Sequence, residues 1–429
     1  MAKKKAKPKA SSKSQKSKRK AIKAKGSKMI RKAKSGSRKA APKPKKRLAS
    51  KKTATKKATK TIRKKATRKA IAKPKARPKK RVKPRTAKQE ARPPGVGKGR
   101  HKVKVLPRQF LTELAAAIRG AIVPSVLDAK GREVVGAASS GDATFEIDRV
   151  AEKELTTFLK NAKLPIAYYS EDAGYSTFTS AQPENLLVVD PIDGTRAAKS
   201  GFESCVVSVA STRVIERPCM ADVDNACVME ILGDRVFYAE RGKGARITQA
   251  DHHRRCKLSK NANLELLSWS MTIPARPAEL VFQTAAKLID LSSLKGGFFA
   301  CNSTSFSLTR LLTNQLDACV DIANRFLRDI PDLVTDHFLN AGRGTVLGIA
   351  PYDLAASLLI AREAGCTVTD AYGNDFDDVL LLDSSVDNHR SLIAAANPEL
   401  YAKLFSYFDT RISQLERLLE RHAQDMSHK

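Results

Sequence analysis

The part of this 429-residue chain that follows residue 100 predicts an α/β or layered α+β fold. Three observations lead there. Some segments carry apolar residues four apart, as a buried helical stripe requires; others are short β-branched runs of the length of buried strands; and the two kinds interleave. A different polymer precedes them, so residues 1–100 are expected to be a separate polycationic tail and residues 101–429 the folded domain.

The tail explains the charge. Residues 1–100 hold 44 of the 80 lysines and arginines and one of the 43 acids, Glu90. The other 329 residues, with 36 bases and 42 acids, are weakly acidic, so the net +37 is a property of the first hundred residues. That segment has no Phe, Tyr or Trp. It cannot bury enough apolar surface to offset backbone ordering of roughly 1–2 kcal/mol per residue, which predicts disorder. Its loose units, such as "KKTATKKATKTIRKKATRKA", resemble the lysine-rich tails of linker histones and of histone-like bacterial nucleoid proteins. A polycation of this kind displaces counterions from phosphate polymers without reading sequence, and with no aromatics it offers no stacking platform. The expected partner is nucleic acid or another polyanion, and the expected location is intracellular, cytoplasmic and nucleoid-associated or nuclear. A transit peptide is the lesser reading, given the length and lysine dominance. No apolar run approaches the ~18–20 residues of a membrane span. Seven cysteines without CxxC spacing (Cys205, Cys219, Cys227, Cys256, Cys301, Cys319, Cys366) read as reduced and structural.

After the linker Ala91–Arg100, Phe110, Leu114, Ile118 and Ile122 stand four apart, a helix with one buried stripe. A turn is expected at "SSGDATFEID", then a second helix carrying Ile147, Val150, Leu155 and Phe158. "NLLVVD" and "ESCVVSVA" read as strands, and "ACVMEILGDRVFYAERGKGA" as a hairpin turning at Gly233–Asp234. "PYDLAASLLIAREAG" reads as a helix with Pro351 at its start and Gly365 at its stop. In the last segment Leu404, Phe408, Ile412, Leu415 and Leu419 share one helical face, which either packs on the chain's own core or meets a second copy in a homodimer.

The chemistry gathers at "VVDPIDGT". Asp190 and Asp193 end an apolar run with Pro191 between them, which fixes a backbone angle and favours extended geometry at Asp190. Gly194 permits a sharp turn, and a helix starting near Thr195 aims backbone N–H groups at an anion. Two carboxylates beside an anion-binding turn imply a cation between them, and the hard oxygen-seeking ion is Mg²⁺. Asp148, Glu171 in "IAYYSEDAG" and Asp353 at the start of its helix are further acids in suggestive settings.

"VVDPIDGT", "YSEDAG", "YDLAASLLIAREAG" and "AERGKGA" together resemble the signature segments of the inositol monophosphatase superfamily of Mg²⁺-dependent, lithium-sensitive phosphatases, over Phe110 to about Tyr401. The resemblance implies an αβαβα sandwich and hydrolysis of a small sugar, polyol or nucleotide phosphate. It implies two or three metal ions held by Glu171, Asp190, the Ile192 carbonyl, Asp193 and Asp353. Thr195 and Asp148, with Glu171, would act on the attacking water, and Gly194 and Thr195 would cradle the phosphate. Asn302, Ser303, Asp321 and Arg196 become candidate substrate contacts. The segment from Ile322 to Thr345 is longer than the family's connection, and its Arg325 and Arg328 are either contacts for a second anion or surface residues of an inserted helix. The other reading of the whole chain is a histone-like binding protein whose phosphatase-type domain is a silent scaffold or sensor.

Overall fold

The computed structural model describes residues 104–427, except 127, 129, 139, 140 and 251. The chain divides into two units, Met1–Ala91 and Arg92–Lys429, and the described residues belong to the second. The expectation for residues 1–100 lies outside the described residues.

The chain first forms α1 (Arg108–Ile122), a small hairpin of β1 (Val134–Ala137) and β2 (Ala143–Phe145), and α2 (Glu146–Ala162). The segment expected as a turn therefore holds a strand, because Thr144 and Phe145 suit extended backbone and pair with β1 before the helix starts at Glu146. Each helix buries one stripe: Leu111, Leu114, Ala115, Ile118 and Ile122 in α1, and Ile147, Ala151, Leu155 and Leu159 in α2.

A large sheet follows, with β3 (Ile166–Ser170), β4 (Gly174–Thr177), β5 (Asn185–Asp193), the single turn α3 (Thr195–Ala198), β6 (Val206–Thr212), β7 (Asn225–Glu230), β8 (Arg235–Glu240), β9 (Ala245–Gln249) and β10 (His252–Arg254). The strand order is β10-β9-β8-β7-β6-β5-β3-β4, antiparallel except for the parallel pair β3 and β5. The hairpin read at Gly233–Asp234 is the β7–β8 connection, with Met229 opposite Val236.

The second half supplies β11 (Ser268–Met271), α4 (Ala278–Ser292), β12 (Gly297–Phe299), α5 (Thr304–Leu312), β13 (Ala318–Asp321), α6 (Ala323–Asp329), α7 (Pro331–Ala341), α8 (Pro351–Ala364), β14 (Thr367–Thr369), β15 (Leu392–Ala395) and α9 (Pro398–Ser427). Its five strands pair in the order β12-β11-β13-β15-β14.

These elements stack as α, β, α, β, α. On β5, Leu187 and Val189 join α1 and α2 in one core, whereas Leu186 and Val188 face the middle layer of α5 and α8. A strand buried on both faces must be apolar at every position, which is why β5 reads as an unbroken run rather than an alternation. α8 begins with Pro351 and stops at Gly365, whose φ of 95° closes the helix. On the far side, Leu404, Phe408, Ile412 and Leu415 of α9 pack with Trp269, Leu280 and Ile393, so that helix covers the chain's own core. The segment read as an insertion is α6 and α7. Among the described residues no helix is long and apolar enough to cross a membrane.

Candidate active site

The sequence DPIDGT breaks the regularity of β5 at its C-terminal end. Pairing with β6 runs without interruption from Leu186 to Asp190, skips two residues and resumes at Asp193 opposite Val206. The bulge turns both aspartates toward the same side. Asp190 Oδ1 accepts from the Ile192 N–H at 2.9 Å, and Asp193 Oδ2 accepts from the Ser305 N–H at 2.6 Å, at the start of α5. Gly194 follows at φ 97°, and a Cβ there would fall 2.5 Å from the Ser204 carbonyl oxygen, so both the backbone sign and the space demand glycine.

A third carboxylate arrives from α8. Asp353 Oδ2 accepts from the Ala350 N–H at 2.7 Å, which pins the side chain at the helix start. Carboxylate oxygens of Asp190, Asp193 and Asp353 lie within 4.8 Å of one another. Ser305 holds the elements together: its hydroxyl donates to the Asp353 carbonyl at 2.8 Å and lies 3.1 Å from the Ser357 hydroxyl.

Three like charges so close, out of water, are unfavourable. Burial pushes the Asp193 carboxyl up to about 6, and burial together with the charge of Asp193 pushes Asp353 up to about 8. Asp190 is raised by burial, then by Glu171, Asp193 and Asp353; Glu171 is raised by burial, then by Asp353 and Asp142. An oxygen-only set of converging acids, each destabilised as an anion, is the donor chemistry that fits a hard divalent cation.

These residues line one cleft of about 690 Å³ including its open mouth. Of the residues singled out in the sequence, Glu171, Asp190, Ile192, Asp193, Gly194, Thr195, Arg196, Asn302 and Asp353 form its wall. Asp148 stands behind it, accepting from the Phe145 N–H at 2.7 Å and hydrogen-bonded to the Thr195 side chain; burial lifts its carboxyl to about 7. The Thr195 hydroxyl also lies 3.1 Å from the Ile192 carbonyl, so Asp148, Thr195 and Ile192 form a chain at the edge of the acidic cluster.

Other candidates have structural partners. The Ser303 hydroxyl accepts from the Phe306 N–H at 2.9 Å, capping α5. Asp321 is buried and bonded twice by Arg276, at 2.7 and 3.0 Å. Arg196 grips Asp142 with two hydrogen bonds, and Lys199 lies over the Phe145 ring. Arg325 and Arg328 are not anion sites of the cleft. Arg325 is buried against Asp329, Asp409 and the Ala371 carbonyl, and Arg328 reaches the Asn324 side chain and the carbonyls of Asp387 and His389. Sequence reasoning missed Arg276, His389, Gly348 and Asp142, all in the cleft wall; no local motif marks them.

A profile of the inositol monophosphatase family matches residues 107–413. The chain is 26% identical over 314 residues to a bifunctional NADP phosphatase/NAD kinase of Methanococcus maripaludis, covering 71% of this chain and 49% of that one, about half the relative's length. It is 26% identical over 299 residues to a fructose-1,6-bisphosphatase/inositol-1-monophosphatase of Methanothermobacter thermautotrophicus, covering 68% of this chain and 92% of that one. The crystal structure of the extragenic suppressor protein suhB from Bartonella henselae has the same fold, with a TM-score of 0.51 at 20% identity, covering 70% of this chain and 97% of that one.

Proposed function

The chain belongs to the inositol monophosphatase family, and from that premise we propose that it is a Mg²⁺-dependent phosphomonoesterase acting on a small sugar, polyol or nucleotide phosphate. One observation carries the reading: the carboxylates of Asp190, Asp193 and Asp353 converge within 4.8 Å beside the turn at Gly194 and Thr195.

Asp190, Asp193, Asp353, Glu171 and the Ile192 carbonyl would hold Mg²⁺, two or three ions in all. Bound there, the metal supplies an acidified water and neutralises charge on the phosphoryl oxygens. The chain's own residues do the rest. The Gly194 and Thr195 N–H groups face the phosphate oxygens as donors at a turn that glycine alone can make. Asp148, whose proton affinity sits near neutrality, takes a proton through the Thr195 hydroxyl to which it is bonded. No side-chain nucleophile is required, and the segments "VVDPIDGT", "YSEDAG" and "YDLAASLLIAREAG" that carry the acids hold neither Cys nor His.

The test is phosphate release by the full chain from inositol phosphates, fructose 1,6-bisphosphate, histidinol phosphate and adenosine 3′,5′-bisphosphate, with and without Mg²⁺, and with lithium added. Turnover that needs Mg²⁺, is inhibited by lithium and disappears in Asp190→Asn supports the reading. A folded protein silent on every compound sinks it.

The composition of residues 1–100 favours a second reading beside the first. With 44 bases and one acid, that segment would bind nucleic acid or another polyanion and tether the enzyme to it. In its stronger form, the folded domain is a silent scaffold and binding is the whole function.

A further inference from the structure

The two edges of the large sheet differ in charge. β4, on one edge, carries no charged residue in Gly174–Thr177. β10 forms the other edge, and around it residues 241–260, "RGKGARITQADHHRRCKLSK", hold seven of the 36 bases but one of the 42 acids of residues 101–429. The rest of that span holds 29 bases and 41 acids, so this positive charge is set apart on an otherwise acidic domain. Charges on an edge strand also keep it from pairing with other chains. That does not account for these, because β4 manages without any and the bases run on beyond Arg254, where β10 ends, to Lys260.

The fold fixes the charges and turns them outward. Arg246, Arg254, Arg255, Lys257 and Lys260 are exposed, and none forms an ion pair among the described residues. Arg254 is held opposite Ile247 of β9. Beyond it, Cys256 and Leu258 pack on the core, the Lys257 N–H donates to the Leu312 carbonyl at 2.7 Å, and the Ser259 carbonyl accepts from the Asn397 amide at 3.2 Å. The neutral polar side chains of the stretch are occupied. The Thr248 hydroxyl accepts from Arg108 at 2.9 Å, Gln249 Nε2 donates to Asp234 at 3.0 Å, and Ser259 is buried.

A row of fixed, unpaired cations reads phosphate charge and nothing else. Residues 241–260 contain no Phe, Tyr or Trp on which the bases of a single strand could stack, and no free hydroxyl or amide to engage a ribose 2′-hydroxyl. We propose that this edge is a docking surface for the phosphate backbone of duplex DNA, laid along β10 and the segment to Lys260. So few contacts bind weakly alone. They act on polymer that residues 1–100 already hold, at the high local concentration that tethering provides, and settle which side of the folded domain faces it. The inference rests on the tethering reading above and is independent of turnover.

The full chain with a short DNA duplex of mixed sequence tests it. Saturating duplex should protect Lys257 and Lys260 from acetylation, read by mass spectrometry, while Lys153 on α2 and Lys287 on α4, both exposed, stay reactive. Arg246→Gln, Arg254→Gln, Arg255→Gln and Lys257→Gln combined should make the logarithmic plot of affinity against salt shallower by about three to four, roughly 0.9 for each lost contact. The same exchange at Lys153, Lys287, Arg343 and Arg417 should change that slope by less than about one. The proposal is overturned, with the tethering reading intact, if the full chain binds duplex but the two sets of variants share one slope, or if Lys257 and Lys260 stay as reactive as without DNA. It also falls if single-stranded RNA or polyglutamate protects those lysines as well as the duplex does, as an RNA or acidic-protein surface would. A full chain that binds no duplex overturns both the inference and the tethering reading.

Discussion

The backbone N–H of Ser305 donates to Asp193 Oδ2 at 2.6 Å, and this bond joins the broken end of β5 to the first turn of α5. It holds a carboxylate in the acidic cluster by a donor from the other half of the fold. Asp193→Asn keeps an oxygen acceptor for that bond but removes the negative charge. Phosphate release should fall by about a hundredfold or more, as when one charged group of a preorganised site is lost. Thermal denaturation without metal should occur at the same or a higher temperature, since a repelling charge has gone. A variant much less stable than the wild type in metal-free buffer would contradict this account.

Glu152 allows the charge argument to be tested away from the acidic cluster. Its Oε1 accepts from the Ser170 hydroxyl at 2.9 Å, and its buried Oε2 has no partner among the described residues. Burial lifts the carboxyl to about 7, the Ser170 bond opposing. The folded-state value lies above the unfolded one, so the folded chain holds the extra proton. That contribution is complete below about pH 4.5 and lost as pH rises through about 7. Glu152→Gln should therefore match the wild type at pH 4.5 and exceed it at pH 8 by roughly 1–3 kcal/mol. Urea denaturation at the two pH values decides; an equal difference at both would rule out titration of Glu152 as the cause.

Arg276 and Asp321 form an ion pair at 2.7 Å with side chains 9% and 3% exposed. Arg276→Met leaves an unpaired buried carboxylate and should destabilise by about 3–5 kcal/mol. Adding Asp321→Leu removes the stranded charge and should recover most of that loss. Denaturant midpoints of the two single variants and the double variant measure the coupling; additive losses would show that the pair is not what holds this wall.

What the sequence made legible follows from how locally each feature is encoded. Asp190 and Asp193 stand three apart on one strand, with proline and glycine marking the turn, so their convergence could be read from spacing alone. The layers were legible because the stripe of α1 and the continuous run of β5 state their burial directly. Arg325 and Arg328 were different: a charge in a sequence does not reveal its partner, and here Asp409 lies 84 residues from Arg325. His389 and Arg276 were invisible for the same reason, since they meet the acids only through chain crossings between distant segments. Lys199 lies over Phe145 because β2 brings that ring beside it, another contact between segments that the sequence does not pair.

Removing residues 1–100 separates the two readings of the chain. The segment carries 44 bases against one acid, while the remaining residues are weakly acidic, so polyanion affinity should reside almost wholly in it. On DNA or RNA of mixed sequence, the full chain should bind strongly at low salt. A logarithmic plot of affinity against salt should be steep, with a slope of about −0.9 per phosphate neutralised on duplex DNA. The shortened chain should show neither the affinity nor the slope. If the domain is an enzyme tethered by its tail, the shortened chain keeps the kcat and KM of the full one on the same phosphate ester, because the acids and the Gly194 turn lie beyond the cut. If the domain is a scaffold, neither form turns over substrate and only binding is lost. Nucleic-acid binding by the shortened chain that matches the full chain at every salt concentration would remove the tail from both readings and place the polyanion surface on the folded domain.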